Sequence, residues 1–124
     1  MNGALLDTHV LLWAMFQPDR LSPALRAAVE AARPCKVSAV SVWEIGIKRA
    51  LGKLPAPPDM VGRIRAVGFD LLPVSAEHAE AAAALPLHHH DPFDRMLVAQ
   101  AQSEDVPIVT ADAKLARYDV ETRW

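Results

Sequence analysis

Short apolar segments alternate along this chain with longer segments that have the residue spacing of helices. This alternation is typical of βαβ units, in which helices connect parallel strands and cover both faces of the sheet. The pattern predicts an α/β fold with three layers, α/β/α, around a central and mostly parallel sheet of four to five strands. The segments predicted as strands are 4–6, 36–40, 69–74 and 106–110, with a terminal edge strand within 120–124.

The predicted helices begin and end at residues whose chemistry favours helix termini. Ser22 and Asp91 are capping residues, each followed by proline at the first helical position, and Gly52 is a typical stop signal. Ser41 and Glu44 have the spacing of a capping box. The predicted helices are 10–16, 22–32, 41–53, 59–66, 75–85 and a helix that starts at 91–92, with a short helical turn at 112–117.

Composition predicts one domain spanning residues 1–124. Hydrophobic residues make up 52% of the 124, enough for a sizeable core, and we expect Cys35, Trp13 and Trp43 to pack there. A lone cysteine excludes an intrachain disulfide framework and fits a reducing compartment. We find no secretory leader and no run of membrane-spanning length, so the expected location is the cytoplasm.

The charge balance limits how the chain can bind nucleic acid. Thirteen Lys and Arg stand against fifteen Asp and Glu, a formal net charge of −2. The chain therefore lacks the overall basic excess of a protein that binds nucleic acid mainly by neutralising phosphates. Any contact with nucleic acid must be local.

Four acidic residues stand near the predicted junctions of strands and helices: Asp7, Glu44, Asp94 and Asp112. Each has a local explanation as a capping or first-turn acid. Sites in parallel sheets form beyond the carboxyl ends of the strands, so we also expect the four to converge there. Converging carboxylates repel one another unless a cation lies between them, and Mg²⁺ or Mn²⁺ prefers such oxygen ligands. The pattern favours metal-assisted hydrolysis of a phosphodiester.

Four blocks of the sequence together resemble a known family. In order they are LLDTHVLLW (5–13), VSAVSVWEIGIK (37–48), HHHDPFDRMLVAQA (88–101) and IVTADAKLARY (108–118). They are similar to the blocks of PIN-domain ribonucleases, and more narrowly to VapC-type toxins of bacterial toxin–antitoxin modules. The resemblance covers nearly the whole chain and implies a PIN-like fold.

The resemblance also implies functional roles. Asp7, Glu44, Asp94 and Asp112 would be an acidic quartet that binds Mg²⁺ or Mn²⁺ and cleaves RNA, whereas Asp91 keeps the capping role. A VapB-type antitoxin would lay its carboxyl-terminal segment over the active site. The toxin would form a homodimer.

Residues beside the four acids add detail and two departures. Thr8 and Thr110 resemble the hydroxyl residues of the family that orient a ligand or water, although helix capping explains them equally well. Ala111 stands where relatives often carry a basic or polar residue, and Lys114 where some carry a further acid. Both departures lie within two residues of Asp112, the fourth of these ligands.

Basic residues and histidines near the acids have two possible uses. Lys48, Arg49 and Lys53 are predicted on the helix of Glu44, and Arg95 lies beside Asp94 as a possible supporting residue. Solvated helix faces are the default, and a local basic rim for RNA is the alternative. We expect the histidines at 88–90 to form an exposed loop, since consecutive side chains in an extended loop point in different directions.

Two other functions remain open, and one is excluded. A PIN-type nuclease in RNA processing would need no antitoxin, and a degenerate PIN module would bind a partner without catalysis. Keeping four repulsive acids argues against the second. A phosphatase of the haloacid dehalogenase type fails because the residue two beyond Asp7 is His9, not a second acid.

Overall fold

The fold is built around a five-stranded parallel sheet. The computed structural model describes residues 3–88 and 91–123. Within them the spatial order of the strands is β3-β2-β1-β4-β5, and all neighbours run parallel. The predicted α/β class is therefore confirmed. The strands are β1 (Ala4–Leu6), β2 (Cys35–Ser38), β3 (Asp70–Leu72), β4 (Ile108–Val109) and β5 (Thr122–Arg123).

Helices connect these strands in the predicted order. Ser22, Ser75 and Asp91 cap their helices with side-chain hydrogen bonds to backbone N–H groups, as their residue types predict. None of the described helices combines the length and apolar character that spanning a bilayer requires. The helices are α1 (Thr8–Phe16), α2 (Pro23–Ala31), α3 (Ala39–Ala50), α4 (Met60–Ala66), α5 (Ala76–Ala84) and α6 (Pro92–Glu104), with 3₁₀ turns at Pro18–Arg20 and Ala113–Arg117.

The two faces of the sheet carry separate apolar cores. Along β1, Ala4 and Leu6 belong to one core and Leu5 to the other, as alternation along a strand requires. The first core packs against α1, α2 and α4, and the second against α6. The connections β1 to β2 to β3 and then β3 to β4 run in opposite directions across the sheet. Right-handed crossovers therefore place their helices on opposite faces, which gives the three layers.

The strand order reverses between β1 and β4, which lie side by side. The Asp7 N–H donates to the Val109 carbonyl at 3.0 Å and holds the carboxyl ends of the two strands level. This reversal is the switch point at which α/β sheets commonly form binding sites. Asp7 and Asp112 both come just after these two strands.

The start of α3 differs from the prediction. Strand β2 ends at Ser38, and Ser38 accepts a hydrogen bond from the Val40 N–H at 3.0 Å, so α3 begins at Ala39 instead of 41. The capping box predicted from Ser41 is wrong. Glu44 consequently lies in the second turn of the helix. Local residue pattern cannot choose between two serines three positions apart, each of which can cap a helix.

Trp43 is 64% exposed, so the prediction that it packs in the core is wrong. The buried side of α3 includes Ser41, Glu44 and Ile45, which are spaced three and four residues apart as one helix face requires. Trp43 falls outside that face, and its ring meets Phe93 edge to face at 5.5 Å. Cys35 is buried as predicted, and Trp13 packs partly buried against the first core.

Candidate active site

Asp7 is the most firmly held carboxylate at the switch point. It follows β1 in an extended conformation, caps α1 and is only 5% exposed. Its Oδ1 accepts a hydrogen bond from the His9 N–H at 2.7 Å, and its Oδ2 accepts one from the Thr110 hydroxyl at 2.6 Å. A buried carboxylate is tolerated when such donors replace water. Asp7 is thus both a cap and a fixed acid at the sheet edge.

Thr110 connects Asp7 to the fourth predicted acid. The Thr110 oxygen accepts a hydrogen bond from the Asp112 N–H at 3.0 Å while its hydroxyl proton goes to Asp7. Asp112 caps the second 3₁₀ turn by accepting from the Lys114 N–H at 2.9 Å. Asp7 and Asp112 line the same open cleft, which has a volume of about 590 Å³. The structure therefore brings these two acids to one surface.

Glu44 is a buried acid with one unsatisfied oxygen. Its Oε2 accepts a hydrogen bond from the Lys48 ammonium at 2.7 Å, whereas Oε1 is buried and has no hydrogen-bond partner among the described residues. Glu44 is only 4% exposed. The hydrogen bond to Glu44 raises the pKa of Lys48, and the negative charges of Asp91 and Asp94 add to that effect. Glu44 and Asp94 therefore act on the same ammonium.

Asp91 and Asp94 both lie at the start of α6, and Asp91 is its cap as predicted. The Asp91 Oδ1 accepts hydrogen bonds from the N–H groups of Phe93 and Asp94, at 2.8 and 3.3 Å, which confirms its capping role. Asp94 occupies the third helical position and is half-buried. Because another residue caps the helix, the Asp94 carboxylate is not needed for that purpose.

A hydroxyl pair joins the helices that carry Asp7 and Glu44. The Thr8 and Ser41 side-chain oxygens lie 2.8 Å apart, and both residues are buried. Of the two predicted hydroxyl residues, Thr110 contacts an acid directly and Thr8 contacts Ser41. Thr8 therefore helps to set the position of α1 against α3.

The basic residues near the acids differ in their contacts. Lys48 pairs with Glu44, and Lys53 lies beyond the end of α3, so its placement on that helix was wrong. Arg95 donates hydrogen bonds to the carbonyls of Ala82 and Leu85 at 2.9 and 3.0 Å. These belong to the carboxyl end of α5, where carbonyls lack helical partners. Arg95 thus fastens α5 to α6.

The histidine loop is described only in part. His88 is exposed as predicted, and its ring meets Tyr118 edge to face at 5.1 Å. The prediction for His89 and His90 falls outside the described residues, as does Trp124. No role in the cleft follows for His88.

The donor chemistry of the four acids fits a hard divalent cation. The donors are carboxylate oxygens, and Glu44 Oε1 is a buried acceptor that lacks a donor. Within residues 3–88 and 91–123, no three Asp, Glu, His or Cys side chains are grouped closely enough to hold one ion. Asp7 and Asp112 line one cleft, and the charges of Glu44 and Asp94 both raise the pKa of Lys48.

Sequence reasoning missed one wall of the cleft. Trp13, Arg20 and His9 line the cleft together with Asp7 and Asp112, and the residue pattern did not mark these three as functional. The Arg20 guanidinium carbon lies 5.3 Å from the centre of the Trp13 ring. The 3₁₀ turn Pro18–Arg20 brings them together, and such a return of the chain leaves no periodic signal in the sequence.

Comparison with known proteins identifies the family. Residues 4–121 match the PIN domain family. The chain belongs to the PIN-domain family. This PIN domain is also 32% identical to Ribonuclease VapC22 of Mycobacterium tuberculosis, over 95% of the chain and 93% of that protein. It is therefore a homologue of the VapC-type ribonucleases.

Solved structures share the fold of this PIN domain. DNA-bound VapBC from Salmonella typhimurium aligns with a TM-score of 0.71 at 15% identity, covering 98% of this chain and 97% of that chain. VapBC2 from Rickettsia felis, bound to a DNA fragment from its promoter, aligns with a TM-score of 0.68 at 15% identity, covering 98% of both chains. These likenesses support the PIN-like architecture that the sequence predicts.

Proposed function

We propose that this PIN domain, a single domain over residues 1–124, is a divalent-metal-dependent endoribonuclease. Asp7, Glu44, Asp94 and Asp112 bind Mg²⁺ or Mn²⁺ at the carboxyl edge of the sheet and cleave RNA there. The observation that carries the proposal is Asp7, a buried carboxylate fixed by Thr110 at the switch point and open to the same cleft as Asp112. The family and the ribonuclease relative support the reaction class.

Burial of the acids supports a cation as their natural partner. Asp7 and Glu44 are each at least nine-tenths buried, and a buried carboxylate is costly without full compensation. Lys48 compensates only one oxygen of Glu44 and leaves Oε1 unpaired. A hard cation bound by carboxylates would supply the missing charge.

The residues of the chain divide the remaining tasks. A bound metal ion supplies an activated water and neutralises charge on the phosphodiester. Thr110 donates to Asp7 Oδ2 and the His9 N–H donates to Oδ1, which together limit the directions from which Asp7 can bind a ligand. The hydrogen bond from Lys48 to Glu44 Oε2 limits the directions from which Glu44 can bind a ligand. Asp91 caps α6, so capping does not depend on the Asp94 carboxylate.

The partners follow from the same relatives. We propose that the chain is the toxin of a toxin–antitoxin module, that a VapB-type antitoxin binds it, and that it forms a homodimer in the cytoplasm. Support comes from its structural neighbours, which include VapBC complexes and a toxin–antitoxin complex from Klebsiella pneumoniae. Separation of the antitoxin would be needed before activity is measured.

The proposal is tested by RNA cleavage. The purified chain, freed of any partner, is incubated with end-labelled RNA and Mg²⁺, Mn²⁺ or EDTA. We expect discrete cuts that require metal and are lost in Asp7→Asn, Glu44→Gln and Asp94→Asn. Asp119→Asn is the matched control because Asp119 is exposed and does not line the cleft. Full cleavage in EDTA, or full cleavage by Asp7→Asn, would contradict the proposal.

A further inference from the structure

The cleft beside Asp7 has a second wall that the four acids do not explain. Trp13, Arg20 and His9 line it together with Asp7 and Asp112. The cleft volume of about 590 Å³ lies within the range of sites for small ligands. Such a wall, with an indole and a guanidinium next to acids that bind metal, matches the chemistry of a nucleotide.

Arg20 is available to a ligand. It is exposed, and its guanidinium makes no hydrogen bond or ion pair with another described residue. The guanidinium lies over the Trp13 ring. Its planar group can therefore offer N–H donors to a phosphate while the aromatic face holds it in place. Because Asp7 and Asp112 repel phosphate, a cation on this wall would be needed to draw RNA into the cleft.

Trp13 supplies a flat surface for a base. It is partly buried against the first core, so its position is set by packing, and it still lines the cleft. The His9 ring lies 6.2 Å from it, centre to centre, at 37°. Bases of single-stranded RNA stack on aromatic rings and on arginine planes, whereas bases inside a duplex are already stacked and cannot reach such a surface.

We propose that Trp13 and Arg20 form a subsite for one unpaired nucleotide of single-stranded RNA, beside the phosphodiester that is cut. The base stacks on the surface made by the indole and guanidinium, and Arg20 contacts an adjoining phosphate. This inference rests on the proposed endoribonuclease function and adds two residues that position its substrate.

The test measures binding separately from cleavage. A fluorescently labelled single-stranded RNA is titrated with the chain in EDTA, which prevents metal-dependent cleavage, and anisotropy reports binding. We expect Trp13→Leu to weaken binding about tenfold, the usual effect of losing one stacked base. Trp13→Phe keeps an aromatic face and should retain most of the affinity, which separates stacking from any packing defect.

Arg20→Gln has a distinct signature. It should weaken binding and reduce the slope of log affinity against log salt by about 0.7, the value for one phosphate contact on a single strand. Trp13→Leu should leave that slope unchanged. The matched controls are Trp43→Leu and Arg65→Gln, an exposed tryptophan and an exposed arginine that do not line the cleft.

A scan with abasic nucleotides identifies the stacked base. In the wild type, removal of one particular base should weaken binding about tenfold, and in Trp13→Leu the same removal should have no effect. Equal binding of a duplex and a single strand, or binding by Trp13→Leu equal to that by Trp43→Leu, would overturn the subsite. If RNA binds through Trp13 but is never cut with Mg²⁺ or Mn²⁺, the subsite stands and the nuclease proposal fails.

Discussion

Replacing Thr110 by valine should destabilise the junction between β1 and β4. Among the threonines of this chain, Thr110 should show the largest loss of stability on replacement by valine. Thr110 is fully buried, and valine has nearly the same shape. The substitution removes the donor to Asp7 Oδ2 at 2.6 Å and the acceptor of the Asp112 N–H at 3.0 Å. It therefore tests the link between residues 103 positions apart in sequence.

The expected cost can be worked out from these two bonds. A hydrogen bond to a charged group contributes about 1.5–3 kcal/mol, and the neutral bond to Asp112 about 0.5–1 kcal/mol because water can reach that half-buried residue. The free energy of unfolding should fall by about 3 kcal/mol. For a chain of this length the melting temperature should fall by roughly 10 °C.

Urea unfolding followed by circular dichroism measures this cost, with an unchanged slope as evidence that the two-state comparison holds. Thr122→Val on the edge strand β5 is the matched control and should change stability by less than about 0.5 kcal/mol. In an Asp7→Asn background, Thr110→Val should cost less, since the bond is no longer to a charge. A cost for Thr110→Val equal to that of Thr122→Val would refute the reasoning.

Three further predictions concern other buried or capping groups. Lys48→Met should cost about 2 kcal/mol in urea unfolding at pH 7, because it leaves the buried Glu44 carboxylate unpaired while the partly exposed Lys48 site admits water. The cost should nearly vanish in a Glu44→Gln background. Because the ion pair raises the pKa of Lys48, its contribution to the free energy of unfolding is complete at neutral pH and falls only in strongly alkaline solution. Asp91→Ala should lower the free energy of unfolding by about 1 kcal/mol through loss of the α6 cap, and a neutral result would contradict that role. Burial raises the pKa of the Cys35 thiol to about 12, so iodoacetamide should label the native chain at pH 8 far more slowly than the urea-unfolded chain, and equal rates would show that the thiol is accessible.

The sequence by itself determined the elements and their caps. Short apolar runs and helical spacing predicted the strands and the α/β class, because a buried parallel sheet requires them. Asp91, Ser22 and Gly52 marked helix ends correctly, since capping depends on bonds between residues a few positions apart. The acids at the junctions of strands and helices could be identified from the sequence for the same reason.

Only the tertiary structure decided which of these residues meet. Three features depend on how α3 lies against its neighbours. They are the cap at Ser38 instead of Ser41, the exposure of Trp43 and the pairing of Glu44 with Lys48. The bond from Thr110 to Asp7 and the return of Arg20 onto Trp13 join segments that the local pattern treats separately. Periodicity records which face of an element is buried, whereas the partner across an interface is set by packing and strand order.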